Sequence, residues 1–140
     1  MSIPFRLLLP SQLRDEMFAQ AQAELPNECC GLLAGKAADG SGRVVRRYPL
    51  KNTAASPTEY WSDPADMFAA DRDLRREGLD VLAVYHSHPT SEALPSRTDR
   101  ERNYSTEVVN FIISLQSDKP VMRGWWLTET GQTEAEWDLV

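Results

Sequence analysis

A chain of 140 residues with 41% hydrophobic, 26% charged and 9% aromatic content has the make-up of one globular domain spanning residues 1–140, which excludes disordered and fibrous classes. Fifteen Lys and Arg against 21 Asp and Glu leave a net charge of −6 with the arginines scattered, so no nucleic-acid partner is expected. The longest apolar runs fall far short of the roughly 20 residues that span a bilayer, and no charged segment followed by a long apolar run opens the chain; no membrane association and a cytoplasmic location are expected.

Ile3 to Leu9 alternates loosely and reads as a strand, after which Pro10 and Ser11 offer a helix start. Leu13, Met17, Phe18, Ala21 and Leu25 recur at spacings of three and four, the apolar stripe of a helix that stops at Pro26. Glu28 to Gly35 and Arg43 to Leu50 flank the turn-forming stretch Asp39, Gly40, Ser41 and Gly42, which predicts a β-hairpin. Cys29 and Cys30 lie inside it; a bond between neighbours closes no loop, so both are expected as reduced, buried thiols, with redox or soft-ligand thiols as the competing reading.

Tyr60 and Trp61 are read as the end of another short strand. Asp63 caps a helix with Pro64 in its first turn, with Met67, Phe68 and Leu74 as its buried stripe, Arg72, Arg75 and Arg76 on its solvated face, and a stop near Gly78. Val81 to Tyr85 is a strand that runs into His86, Ser87 and His88, and Pro89 ends it. A loop to about Ser96 precedes a polar segment, Thr98 to Ser105, able to form one or two helical turns. Val108 to Leu115, Met122 to Leu127 and Gln132 to Trp137 are read as three more strands. Within the second of these, Trp125 and Trp126 point to opposite faces, and both are expected to be buried. The fold class is α+β: one mostly antiparallel, curved sheet of about seven strands with two main helices and a short helix after the histidine loop.

His86 and His88 are the only histidines. Side chains two apart on a strand share a face, so both imidazoles can reach one ion while Ser87 points the other way. Such a pair suits zinc, and a catalytic zinc site needs a third protein ligand. Asp99, at the start of the polar segment, can fold back to complete it. Taken singly, Asp99 also reads as a helix-start residue or a solvated charge, and the histidines as a hydrogen-bonded pair near a turn. A metal-dependent amidohydrolase also carries His-x-His on a strand, but its barrel needs about 250 residues.

The string His86-Ser87-His88, seven residues, Ser96, two residues, Asp99, with Glu28 upstream, resembles the JAMM signature of the MPN-domain metallopeptidases, Glu-xn-His-Ser/Thr-His-x7-Ser-x2-Asp. The segment from Pro26 to Leu33 is similar to the glutamate segment of short bacterial members, and the order of elements is similar along nearly the whole chain. The resemblance implies a single MPN-type domain in which His86, His88 and Asp99 hold Zn²⁺, Glu28 is the general acid/base and Ser96 assists at the oxyanion. Outside the resemblance, Glu28 reads as a solvated glutamate opening a strand, and Ser96 as a helix cap. The resemblance further implies hydrolysis of an amide bond at the C-terminal Gly-Gly of a ubiquitin-like or sulfur-carrier protein. The stretch after Asp99 is taken up by a helix and three strands, leaving no room for the insertions that eukaryotic relatives carry around the site. A non-catalytic MPN scaffold and a zinc peptidase of other small peptides are the alternatives.

Overall fold

The computed structural model describes residues 4–140. In chain order the elements are β1 (Arg6–Leu9), α1 (Ser11–Ala23), β2 (Cys30–Ala38), β3 (Ser41–Leu50), α2 (Pro64–Arg76), β4 (Asp80–His88), α3 (Arg97–Glu101), β5 (Val109–Ser114), β6 (Val121–Leu127), β7 (Gln132–Glu134) and β8 (Trp137–Leu139). All eight strands join one sheet in the order β7-β6-β5-β4-β2-β3-β1-β8. The β2–β3, β2–β4, β5–β6 and β6–β7 pairs are antiparallel, whereas β4–β5, β1–β3 and β1–β8 are parallel. Ile3, read as the start of β1, lies outside the described residues.

The hairpin forms as its turn chemistry requires. Asp39 and Gly40 both take positive φ, 54° and 81°, which matches the right-handed twist of the flanking strands. The sheet is covered on both faces, so its central strands read as continuous apolar runs. In β2, Leu33 faces the cluster that contains Met17 and Ala21 of α1 with Leu9, Val44, Tyr85, Phe111 and Trp126, and Leu32 faces the cluster containing Ala70 of α2 with Leu50 and Val84. Each fully buried large apolar side chain contributes about 1.5–3 kcal/mol, enough for such a core to hold without disulfides. Gly31 allows a close contact: a Cβ there would lie 2.2 Å from the Tyr85 ring. The ring crosses the strand at that point, and its hydroxyl meets Gln20 of α1 and Arg47 of β3.

Several expectations are corrected. The last expected strand, Gln132 to Trp137, is two: β7 pairs with β6 at one end of the sheet, and β8 pairs with β1 at the other, giving eight strands in place of about seven. Tyr60 and Trp61 belong to no strand; a single bridge, Asn52 to Ser62, closes that loop. Asp63 does cap α2, accepting from the Asp66 N–H at 3.1 Å; Leu74 is buried and Met67 packs partly buried against the core as expected, while Ala70 is buried where Phe68 was expected. Phe68 is 65% exposed, and Leu25 lies past the end of α1 and is 46% exposed. Trp125 and Trp126 are both buried, and Arg72, Arg75 and Arg76 are exposed, as expected. Among the described residues no helix is long and apolar enough to cross a membrane.

Candidate metal centre

β4 lies in the middle of the sheet between β2 and β5: His86 pairs with Cys30 and the Ser87 N–H donates to the Cys29 carbonyl on one side, and His86, Ser87 and His88 pair with Ile112, Ile113 and Ser114 on the other. The two imidazoles project from one face, and Ser87, fully buried, turns to the other, where its Oγ accepts from the Cys29 N–H at 2.8 Å. The loop that follows is tied down at three consecutive residues. The Ser91 carbonyl accepts from Ser114 Oγ at 2.6 Å, the Glu92 carbonyl from His88 Nδ1 at 2.7 Å, and the Ala93 carbonyl from Trp125 Nε1 at 3.0 Å. This brings Ser96 to the N-cap of α3. Its Oγ accepts from the Asp99 N–H at 3.0 Å while Asp99 Oδ2 accepts from the Ser96 N–H at 2.9 Å, a reciprocal capping box.

The cap aims Asp99 at the histidines. Asp99 Oδ2 lies 3.2 Å from both His86 Nε2 and His88 Nε2, and those two nitrogens are 3.1 Å apart. Ligand atoms about 2.0–2.1 Å from a tetrahedral zinc are separated by about 3.3 Å, so this nearly equilateral triangle has the dimensions that three ligands of one such ion would need. The His88 Nδ1 proton is committed to the Glu92 carbonyl, which leaves Nε2 as a lone-pair donor. Two imidazoles and one carboxylate suit zinc in charge and softness. Burial pushes the Asp99 carboxyl up, but the imidazoles and the Ser96 N–H outweigh it and hold it far below the usual carboxylate range. His88 is raised: burial opposes its charge, and the Asp99 carboxylate and the Glu92 carbonyl more than offset that.

Glu28 reaches the same place from the neighbouring strand. Cys30 pairs with His86 in the antiparallel β2–β4 ladder, and continuing that register two residues sets Glu28 opposite His88. Its N–H donates to the Ser56 carbonyl at 2.9 Å, and its own carbonyl accepts from Asn52 Nδ2 at 3.0 Å. The residue is 4% exposed, and burial raises its carboxyl to about 8; His88 pulls it down, Asp99 and Glu59 push it up. A solvated glutamate is therefore ruled out.

A pH dependence of stability follows for the metal-free protein. Glu28 titrates at about 8 when folded against 4.5 ordinarily, so the folded state holds the additional proton between those values. The Glu28 contribution to stability then falls as pH rises through that window, by on the order of a few kcal/mol, and is constant on either side of it. Thermal melts in chelator should show a steeper fall for the wild type than for Glu28→Gln. Equal slopes would place the titration elsewhere.

Cys29 and Cys30 belong to clusters on opposite faces of the sheet, and burial pushes their thiols up to about 12 and about 11. Both are inert protonated thiols at neutral pH, and the candidate metal group is His86, His88 and Asp99. Two neighbours of the site were not legible in the sequence. Asn52, buried, bridges Glu28 to the segment around Tyr60, and the Tyr60 ring stacks on His86 with centroids 4.8 Å apart. A buried asparagine leaves no periodic signal, and an aromatic in a loop resembles any strand residue.

Residues 10–128 match the family described as prokaryotic homologs of the JAB domain. The chain is 44% identical over 94 residues to a Thermus thermophilus protein named "Probable TtuB-protein conjugate cleaving protease", covering 66% of this chain and 60% of that one. It is 38% identical over 93 residues to the "CysO-cysteine peptidase" of Mycobacterium tuberculosis, covering 66% and 62%. The chain thus spans about three fifths of the length of these curated relatives. A solution structure of a protein from Desulfitobacterium hafniense superposes with a TM-score of 0.86 at 36% identity, over 96% of this chain and 92% of that one.

Proposed function

The chain belongs to the family of prokaryotic JAB-domain homologs, and from that membership we propose that it is a cytoplasmic zinc metallopeptidase, a single domain over residues 1–140. The substrate is a ubiquitin-like or sulfur-carrier protein, cut at the amide or isopeptide bond that follows its C-terminal Gly-Gly. The observation that carries this reading is the triangle of His86 Nε2, His88 Nε2 and Asp99 Oδ2 with the buried Glu28 beside it. The names of two relatives, one a protease of TtuB-protein conjugates and one a peptidase of CysO-cysteine, support a substrate in which a carrier is joined to an amine.

His86, His88 and Asp99 would hold the zinc. When bound, the metal supplies a Lewis acid for the scissile carbonyl and lowers the pKa of water towards about 7. Glu28 moves the proton. Its carboxyl, buried beside the group and with its proton affinity raised by that burial, can take a proton from the attacking water and pass it to the departing amine nitrogen as the C–N bond breaks. Ser96 Oγ uses a lone pair to cap α3, which leaves its hydroxyl proton to donate to the carbonyl oxygen as that oxygen becomes negative. The capping and oxyanion readings of Ser96 are therefore compatible.

A cleft of about 200 Å³ between the 58–62 loop and α3 borders this group at Asp99, which lies in its wall. An extended tail entering so narrow an approach favours residues without side chains before the cut. Incubation with carriers bearing C-terminal extensions, read by mass, should show cleavage after Gly-Gly. Changing the final Gly to Val should lower kcat/KM by about 100-fold, because a carbonyl displaced by about 1 Å is no longer aligned. Equal cleavage of both tails would leave a zinc peptidase of other small peptides. A chain that neither binds zinc nor cleaves would be a non-catalytic scaffold.

A further inference from the structure

The two histidines face one point but are supported differently. A ligating imidazole commonly donates its second ring nitrogen to an acceptor that sets the ring's rotation and its tautomer. His88 does this through the Glu92 carbonyl, 2.7 Å from its Nδ1. His86 does not: its Nδ1 is buried and has no hydrogen-bond partner among the described residues. What lies against the His86 ring is Tyr60, with ring centroids 4.8 Å apart and planes inclined by 26°. Rotation of the imidazole about its Cβ–Cγ bond would drive its edge into that aromatic face.

Tyr60 belongs to no helix or strand, yet its backbone is pinned on both sides. The Asn52 side chain, 7% exposed, accepts from the Ala54 and Trp61 N–H groups at 3.0 and 2.9 Å. Its Nδ2 donates to the Glu28 and Glu59 carbonyls at 3.0 and 3.1 Å. Both amide protons and the oxygen's two acceptor positions are thus in use. The same amide clips the residues either side of Tyr60 to the backbone of Glu28.

We propose that Tyr60, held by Asn52, is a positioning residue for His86: its ring face does by stacking what the Glu92 carbonyl does for His88 by hydrogen bonding. The imidazole is thereby kept at the rotation in which Nε2 meets His88 Nε2 and Asp99 Oδ2. The inference rests on the metal reading above. The role resides in the ring face and not in the hydroxyl, which separates it from a catalytic tyrosine.

The test reads metal binding and ligand geometry in the full chain. Zinc affinity is measured by competition with a chelating dye, and the visible absorption of the Co²⁺-substituted protein reports the ligand field. Tyr60→Leu is expected to weaken zinc by about 10-fold or more and to shift the cobalt bands, as loss of an outer support does. Tyr60→Phe, which keeps the face and loses only the hydroxyl, is expected to match the wild type within about two-fold in affinity and to show an unshifted cobalt spectrum. Tyr60→Met, filling the space without a ring, is read in the same way should the leucine variant fail to fold. Wild-type affinity and spectrum in the ringless variants would overturn the proposal, and so would an equal loss in Tyr60→Phe. A wild-type protein that binds no zinc would instead overturn the metal reading itself.

Discussion

Glu28→Gln is expected to lower kcat by about 10²–10⁴-fold while zinc stays bound at about one ion per chain, the range a positioned general base contributes. The substitution keeps the shape and the backbone bonds to Ser56 and Asn52, and removes only the ability to take up and release a proton. Its second consequence runs the other way. A carboxyl forced to about 8 by burial costs folding free energy at neutral pH, so the glutamine variant should be the more stable of the two in chelator. Lower activity with higher stability is hard to produce by general disruption. A variant that lost its zinc would make Glu28 a ligand, and near-normal turnover would exclude it as the base.

Asp99→Asn is expected to reduce zinc occupancy to near the background of the chelator wash, and His86→Ala and His88→Ala to do the same. Losing an outer support of a metal ligand costs about 10–100-fold in affinity, so losing one of three ligands costs more. The asparagine variant is the sharper probe, because the helix cap survives it: an amide oxygen still accepts from the Ser96 N–H, and the Asp99 backbone N–H still donates to Ser96 Oγ. The α3 turn should therefore persist while the negative charge 3.2 Å from both imidazoles is gone. Elemental analysis of the purified variants decides it. Unchanged zinc in both His86→Ala and Asp99→Asn would show that the ligands are misassigned.

Local rules carried much of this in advance. Two side chains two residues apart on a strand must share a face, so His86 and His88 were readable as a pair, with Ser87 pointing away. Asp63 and Ser96 act as caps on amide groups within three residues of themselves, an interaction set by chain connectivity alone. The JAMM-like spacing rests on the same short-range logic: with seven residues of loop and a capping box, the aspartate is delivered to the histidines.

What the local pattern could not decide was which distant segments share an edge or a face. Glu28 becomes a buried carboxyl only because the β2–β4 register, continued past Cys30 and His86, sets it opposite His88, a juxtaposition across sixty residues that no window of sequence contains. Asn52 acquires its four partners, and Tyr60 its stacking on His86, from the fold of a loop without periodicity. Leu74 is inside as its place in the α2 stripe implies, but Phe68 is not, and only packing against the sheet puts Ala70 in its place. The last strand pattern was sound locally and still divides in two, because its halves find hydrogen-bond partners at opposite ends of the sheet. The histidine pair, the helix caps and the hairpin turn are local properties, since they depend on backbone sterics and near neighbours. The buried carboxyl, its raised proton affinity and the support of His86 are properties of the folded chain, because desolvation and cross-strand pairing exist only once distant segments meet.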